Sequence, residues 1–299
     1  MYFDKPPETI NQQIGRLVQR GMEVSNPDYA HNCLYHLNYY RLRGYWIPFE
    51  IGPPDDGDHH FRQGTTFEQV VDLYVFDREL RLLLLDAVES IEVSMRSQWA
   101  YHLSHEYGAH AHLNSALFDK QNYRRCLDSL IKEVRHSRET FIKHFIKNYD
   151  DPLPPVWTVV EIMSLGQLSK WYSNLRSKPL RQKIADSYKM DEGVFASFVH
   201  HLTLIRNICA HHNRLWNRHF TITFKLPRKK PAKLTAVFNM GAPRQLYNSL
   251  VMIAYMTNIV SGDERWKHRL LHILNEHRHV PTAPMGFPET WQELNFWKV

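Results

Sequence analysis

Between Gly64 and Gly108 the chain contains neither glycine nor proline. These are the two residues that most readily interrupt a helix, so a run of this length without either favours helix if its apolar pattern agrees. It does. Val70, Leu73, Phe76, Leu80, Leu84, Ala87, Ile91 and Met95 recur every three or four residues and so line one helical face. Thr66 followed by Gln69 has the form of a capping box at its start. The pattern predicts one long amphipathic helix or two nearly collinear ones. At about 1.5 Å per residue the run would reach roughly 55–60 Å, long enough to accommodate a kink or break. Glu92 and Arg96 form an i,i+4 pair on it and read as structural.

The remaining segments are also mostly helical in pattern. Ile10, Ile14, Leu17 and Val18 suit a first helix ending near Gly21. Ser25-Asn26-Pro27 opens a second that runs through Leu34, Leu37 and Tyr40. Residues 52–65 form a Gly-, Pro- and Asp-rich loop; Asp58, His59 and His60 could bind a metal there, but a solvated loop is the better reading. A charged helix is expected from about Asn122 to Asn148, stopped by the prolines at 152, 154 and 155. Shorter helices follow around Trp157–Met163 and Leu168–Leu175, and Asp191 is a good N-cap for the next. Phe220–Phe224 alternates in the manner of a strand and precedes a basic loop containing Arg228, Lys229 and Lys230. Helices are expected again at about Arg244–Val260 and Asp263–His277, with a short one near Trp291. The expected class is all-α: an N-terminal helical segment and loop over residues 1–60, a helical domain over 61–299, and one short β element near 220–226.

Composition narrows the function classes only mildly. The chain has 37 Lys and Arg against 31 Asp and Glu, a net charge of +6, and 19 His, which favours an anionic partner such as nucleic acid. Cys33, Cys126 and Cys209 are far apart and show no metal-ligand spacing, as expected of free thiols in a reducing cytoplasm. The first residues show no basic region followed by an apolar run, so no signal peptide is expected. Apolar clusters such as Leu82–Leu85 are too short to span a bilayer.

Chemistry is densest between Arg206 and Asn217, where two histidines, two arginines and three asparagines fall within a dozen residues. Phe195, Phe198, Leu202, Ile205 and Cys209 define the apolar stripe of this helix. At about 100° per residue, Asn207 and His211 lie roughly 160° from the stripe centre and are i,i+4 neighbours. His200 and Leu204 share that outer face. His212, only about 60° from the stripe, would lean toward the core, and Arg206 lies roughly 140° around the helix from His211. One straight helix therefore cannot aim Arg206 and His211 squarely at the same phosphate. Either the helix bends, or two copies of the motif meet across an interface. A metal enzyme is a weaker reading, because adjacent His211 and His212 point apart and no i,i+4 His pair completes a set. Neither a glycine-rich phosphate loop nor a serine nucleophile elbow is visible. Earlier in the chain, Tyr39–Trp46 combines aromatics with Arg41 and Arg43, a composition that can stack on bases and neutralise phosphates. From sequence alone, an aromatic core patch with snorkelling arginines is the stronger reading there.

Arg206 through His211 has the form R-N-x-x-x-H and resembles the signature of the HEPN superfamily of helical RNA-cleaving proteins. The longer string IRNICAHHNRLWNR resembles the Abi-like (AbiD/AbiF type) abortive-infection branch of phage-defence proteins. Three further stretches resemble that branch in order: YYRLRGY at 39–45, YVFDRELRLLLLDAVESIEVSMR at 74–96 and PPVWTVVEIMSLG at 154–166. In the last, Leu165 stands where the family often has an aromatic, a neutral change. The resemblance implies a HEPN-like helical bundle that dimerises, joining two motifs in one cleft. It also implies metal-independent RNA cleavage without a cofactor, by attack of the 2′-hydroxyl on the adjacent phosphate. In that chemistry Arg206 would stabilise charge on the phosphate oxygens and Asn207 would orient the histidine or the phosphate. His211 would transfer protons, for which a histidine's ordinary pKa of about 6.5 is suited. His212, Asn213 and Arg214 would contact RNA, as would Arg41, Arg43, Tyr45, Arg228, Lys229 and Lys230. The expected protein is a cytoplasmic, homodimeric toxin or defence effector, restrained or guided by a small structured RNA. The alternative is a non-catalytic protein that grips a structured RNA with the same face.

Overall fold

The computed structural model describes residues 2, 6–52, 59–228 and 231–298. The chain is all-α with one minor two-stranded element. It divides into two compact units: Met1–Leu80 with His277–Val280, and Arg81–Glu276 with Pro281–Val299. The division falls inside a helix, at Leu80, rather than in the loop near residue 60.

In the first unit, α1 (Ile10–Gln19) begins with a full capping box between Thr9 and Gln12. The chain turns after it at Gly21, whose φ of +89° suits glycine. α2 (Pro27–Leu37) starts on an Asn26 cap with proline in its first turn. It does not run on to Tyr40 as its pattern suggested. Asn38, at φ 66°, breaks the chain, and its side chain accepts a bond from the Tyr40 amide to start α3 (Tyr39–Trp46). Two short strands, β1 (Glu50–Ile51) and β2 (His60–Phe61), pair antiparallel with Glu50 opposite Phe61. Of the loop histidines considered as metal ligands, His59 sits 3.7 Å from a Glu50 carboxylate oxygen. His60 is exposed on β2, and Asp58 lies outside the described residues.

The long predicted helix is a single one, α4 (Phe67–Tyr107), 41 residues long. Thr66 and Gln69 exchange the two bonds of the capping box at 3.2 and 3.1 Å. All eight apolar positions that define the stripe are buried. Gly108, at φ +86°, ends the helix, and its N–H reaches Ser104 O at 2.8 Å.

The second unit contains the rest of α4, then α5 (Lys120–His136), α6 (Thr140–Asn148), α7 (Val156–Val159), α8 (Leu165–Asn174), α9 (Lys178–Asp186) and α10 (Glu192–Ala210), followed by α11 (Ala232–Thr235), α12 (Tyr247–Ser261) and α13 (Arg265–Glu276). The helix expected over 122–148 is thus two. The chain is extended at Ser137, whose Oγ accepts a bond from the Glu139 amide at 3.2 Å. Helix α9 was not anticipated from the pattern; it starts on a Ser177 cap with proline in its first turn. Residues 220–226 form no strand. Phe220 and Phe224 do point inward, as the alternation implied, but the segment is held by helix side chains instead of a ladder.

α10 packs on α8 and α9, and α5 packs on α8. At Gly166 the approach of α8 to α10 is so close that an added Cβ would sit 3.3 Å from Thr203 Cγ2. Tyr188 stacks on Phe195 at 4.7 Å between ring centroids, and Tyr172 meets Phe195 edge-on at 5.1 Å. Arg96 is structural, as its pairing suggested: it bonds Glu92 at 2.6 Å and the Met163 carbonyl at 2.8 Å. Among the described residues no helix is long and apolar enough to cross a membrane.

Two histidines of this unit are buried in their neutral form. Burial pushes His112 and His201 from 6.5 down to about 4; the bond from His201 to the Ile222 carbonyl partly opposes this, and the neighbouring His110 and His200 add smaller effects of the same sign as burial. Above pH 6.5 they are neutral in both folded and unfolded chains. Between pH 6.5 and about 4 the unfolded chain takes up protons that the folded chain refuses. Stability therefore falls through that window as pH drops, by about 1.4 kcal/mol per pH unit for each group. The urea midpoint is expected to be lower at pH 5 than at pH 7; an unchanged midpoint would contradict the buried neutral state.

Candidate active site at the end of helix α10

Helix α10 starts on Asp191, whose carboxylate accepts from the amides of Gly193 and Val194 at 2.9 and 3.3 Å. The expected apolar stripe, Phe195 to Cys209, is buried throughout. The burial of that stripe fixes the azimuth of everything opposite it. Arg206, Asn207 and His211 are accordingly exposed, as is His200. Leu204 is half-buried, so the outer face carries less bare apolar surface than the wheel implied.

The helix ends inside the motif. His211 is its C-cap, with its N–H on Asn207 O at 3.0 Å. His212 takes a left-handed conformation at φ 57°, its amide reaching Cys209 O at 3.0 Å, and the Asn213 amide reaches Ile208 O at 2.9 Å. These last two bonds make up a Schellman closure, which usually has glycine where His212 stands. The expectation that His212 leans toward the core fails for this reason: the wheel stops at Ala210, and the left-handed turn brings His212 out to an exposed position. Asn213 is exposed and Arg214 half-buried. The chain is then pinned again by buried Leu215 and Trp216, the indole N–H donating to Pro281 O at 3.1 Å. Residues 211–214 are thus a short span between two fixed points.

Among the three principal residues, Asn207 is the hinge of the set. Its Oδ1 lies 3.5 Å from Arg206 Nη1, and its carbonyl takes the His211 amide. Arg206 itself leaves the helix on a different azimuth from His211. No break in the helix intervenes to bring them together, since α10 is continuous through Ala210.

Two supporting groups were not singled out from sequence. His201, one residue from exposed His200, donates through Nδ1 to Ile222 O at 2.7 Å and accepts from Ser249 Oγ through Nε2 at 2.8 Å. It fastens the extended 220–224 segment to α10 and to α12. Arg218 donates to Arg214 O at 3.2 Å, bracing the span from the other side.

A charge signal also runs through this region. Residues 193–262 contain nine Lys and Arg and no Asp or Glu, so the rest of the chain holds 28 basic against 31 acidic side chains, a balance of −3. The whole positive excess of the protein therefore lies in the stretch that contains the motif. Lys225, Arg228 and Arg244 are exposed within it, and Lys229 and Lys230 lie outside the described residues. In the first unit, Arg41 is exposed and Arg43 half-buried. Tyr45, expected to face RNA, is 1% exposed and donates its hydroxyl to Asp77 at 2.7 Å. It has no face for a base, because Leu42, Tyr45 and Trp46 form the inward side of α3; the exposed aromatic of that helix is Tyr40.

Fold and site together define a helical-bundle protein with a basic, amide-rich cluster at the solvent-facing end of one helix. Residues 32–217 match the family described as Abi-like protein, a range that opens within α2 and closes at the end of the motif. The chain belongs to that family, which connects it with abortive infection and phage defence. No curated protein and no solved structure matches it.

The left-handed conformation of His212 costs on the order of 1 kcal/mol relative to glycine. His212→Gly is expected to raise unfolding stability by about 0.5–1 kcal/mol in urea titrations. A loss of stability would show that the imidazole makes contacts worth more than the backbone strain.

Proposed function

We propose that the protein is a metal-independent endoribonuclease of the HEPN type that acts as a toxin in abortive infection. The observation that carries this reading is the outward trio Arg206, Asn207 and His211, set within a stretch of seventy residues that has no carboxylate. Within this stretch the chain offers a polyanion cations and amides and no acidic side chain. The end of α10 also needs them. The C-terminal end of a helix carries partial negative charge and on its own would disfavour phosphate.

The chemistry follows from the residue types. The 2′-hydroxyl of the substrate attacks the adjacent phosphorus, and the 5′-oxygen of the next nucleotide leaves. Products are a 2′,3′-cyclic phosphate and a 5′-hydroxyl. His211 transfers a proton in this exchange, from the attacking hydroxyl or to the leaving oxygen. Arg206 holds the non-bridging oxygens with two parallel N–H donors as their charge builds. Asn207 orients the pair. His212, Asn213 and Arg214 contact flanking RNA. Arg41, Arg43 and the basic run at 228–230 are candidate contacts for a small structured RNA that restrains or guides the protein.

The divergent azimuths of Arg206 and His211 support a homodimer in which each phosphate is served by Arg206 of one copy and His211 of the other. RNA cleavage in EDTA should yield cyclic-phosphate ends and fall at least about a hundredfold in both Arg206→Ala and His211→Ala. Full activity in His211→Ala would sink the assignment. Tight, salt-sensitive binding without cyclic-phosphate product would replace it with an RNA-binding role.

The shared site has its own test. Mixing and re-associating the two inactive variants creates heterodimers with one intact composite site. Activity is expected to return to about a quarter of the native level, since half the dimers are mixed and each has one working site of two. No recovery in demonstrably mixed dimers would place both residues in one subunit.

A further inference from the structure

His277 and His279 fold back in the first unit against Asp72, on the N-terminal part of α4. One donor atom from each of the three lies within 4.8 Å of the others. His277 Nδ1 is 3.4 Å from Asp72 Oδ1, and His279 Nε2 closes on the second oxygen of the same carboxylate. The other nitrogen of His277, Nε2, is 3.2 Å from Glu79 Oε2. Phe76 lies edge-on to the His277 ring, 5.5 Å between centroids.

The arrangement differs from an ordinary cluster of ion pairs in one respect. His277 Nδ1 is buried, in a side chain only 11% exposed, yet it makes no hydrogen bond. Apart from its 3.4 Å approach to Asp72 Oδ1, that nitrogen has its lone pair or proton unused, at a cost of about 1–3 kcal/mol, unless it is turned toward a ligand. Its geometry suits the second case. Tetrahedral zinc with bonds of about 2.0–2.1 Å holds its donors roughly 3.3–3.4 Å apart, the separation found between Nδ1 and Oδ1; His279 Nε2, in direct contact with the second oxygen, has to draw back for an ion to enter. Glu79 completes the pattern, because a metal-binding imidazole generally gives its remaining N–H to a carboxylate that fixes its tautomer and ring plane.

We propose that Asp72, His277 and His279 bind a divalent transition-metal ion of the zinc class, with Glu79 as the positioning residue behind His277. Two imidazole nitrogens and one carboxylate oxygen favour zinc, cobalt or nickel over magnesium and calcium, which require oxygen donors. Asp72 and His279 remain 38% and 55% exposed, so the fourth position opens to water. The ion fastens residues 277–280 to α4 and closes a loop of some two hundred residues, a structural role separate from the RNA chemistry.

The test uses the full chain after chelator treatment and dialysis. Cobalt(II) is expected to bind one per chain with the visible bands of a tetrahedral nitrogen–oxygen site, and excess zinc should raise the melting temperature by about 3 °C or more. His279→Ala and Asp72→Asn, checked for native circular dichroism, should each weaken binding at least about tenfold and abolish the zinc-dependent shift. His272→Ala, an exposed histidine of α13, should change neither. Absence of cobalt bands and of any zinc shift in the native chain would overturn the proposal. So would equally tight binding in both site variants.

Discussion

The structure of the site depends on one packing constraint, the close seating of α10 against α8. Gly166 allows the two backbones to approach, and Thr203 fills the space a side chain would need. With Phe195, Phe198, Leu202 and Ile205 also buried, α10 has a single rotational setting. A turn of even one residue, about 100°, would bury Arg206 or Asn207 and expose an apolar side chain at a cost of roughly 1.5–3 kcal/mol. The outward direction of the trio is therefore a consequence of core packing several turns away.

The same contact explains why the chain's separate stretches belong together. PPVWTVVEIMSLG supplies α7 and the start of α8, including the glycine that admits α10. The long helix contributes Arg96, which ties its side to the turn carrying Met163 just before α8. Each of these stretches supports the element that presents the motif. Family membership over residues 32–217 thus spans the presenting helix and much of what holds it in place.

Much of this was legible in the residues, and where it was not, the reason is physical. The α4 stripe, its capping box and its Gly108 stop are local signals that tertiary packing had no cause to override. Asn207 and His211 were placed correctly because burial of an amphipathic stripe fixes the opposite face. His212 was misplaced because no glycine marks the helix end, so nothing local announced the left-handed turn. The 220–224 alternation was real, but a strand also needs a neighbouring edge, which periodicity does not supply. His201 shows the complementary difficulty. Its neutral, doubly bonded state depends on Ile222 and Ser249, 21 and 48 residues away in sequence. Tyr45 belongs to the aromatic core patch, which was the stronger reading of its composition.

The span from His211 to Arg214 has one further implication. It hangs between a helix closed by its own amides and a tryptophan lodged in the interior, with Arg218 gripping it from behind. Such a segment has little slack. Reshaping it would mean unwinding a turn of α10 or withdrawing Trp216, either of which disrupts the core. A cell that needs this face silent until infection has a simpler option, to cover it. Under the proposed function, control by a removable cover would leave Arg206, Asn207 and His211 already in position, so that release, and not refolding, would set the speed of the response.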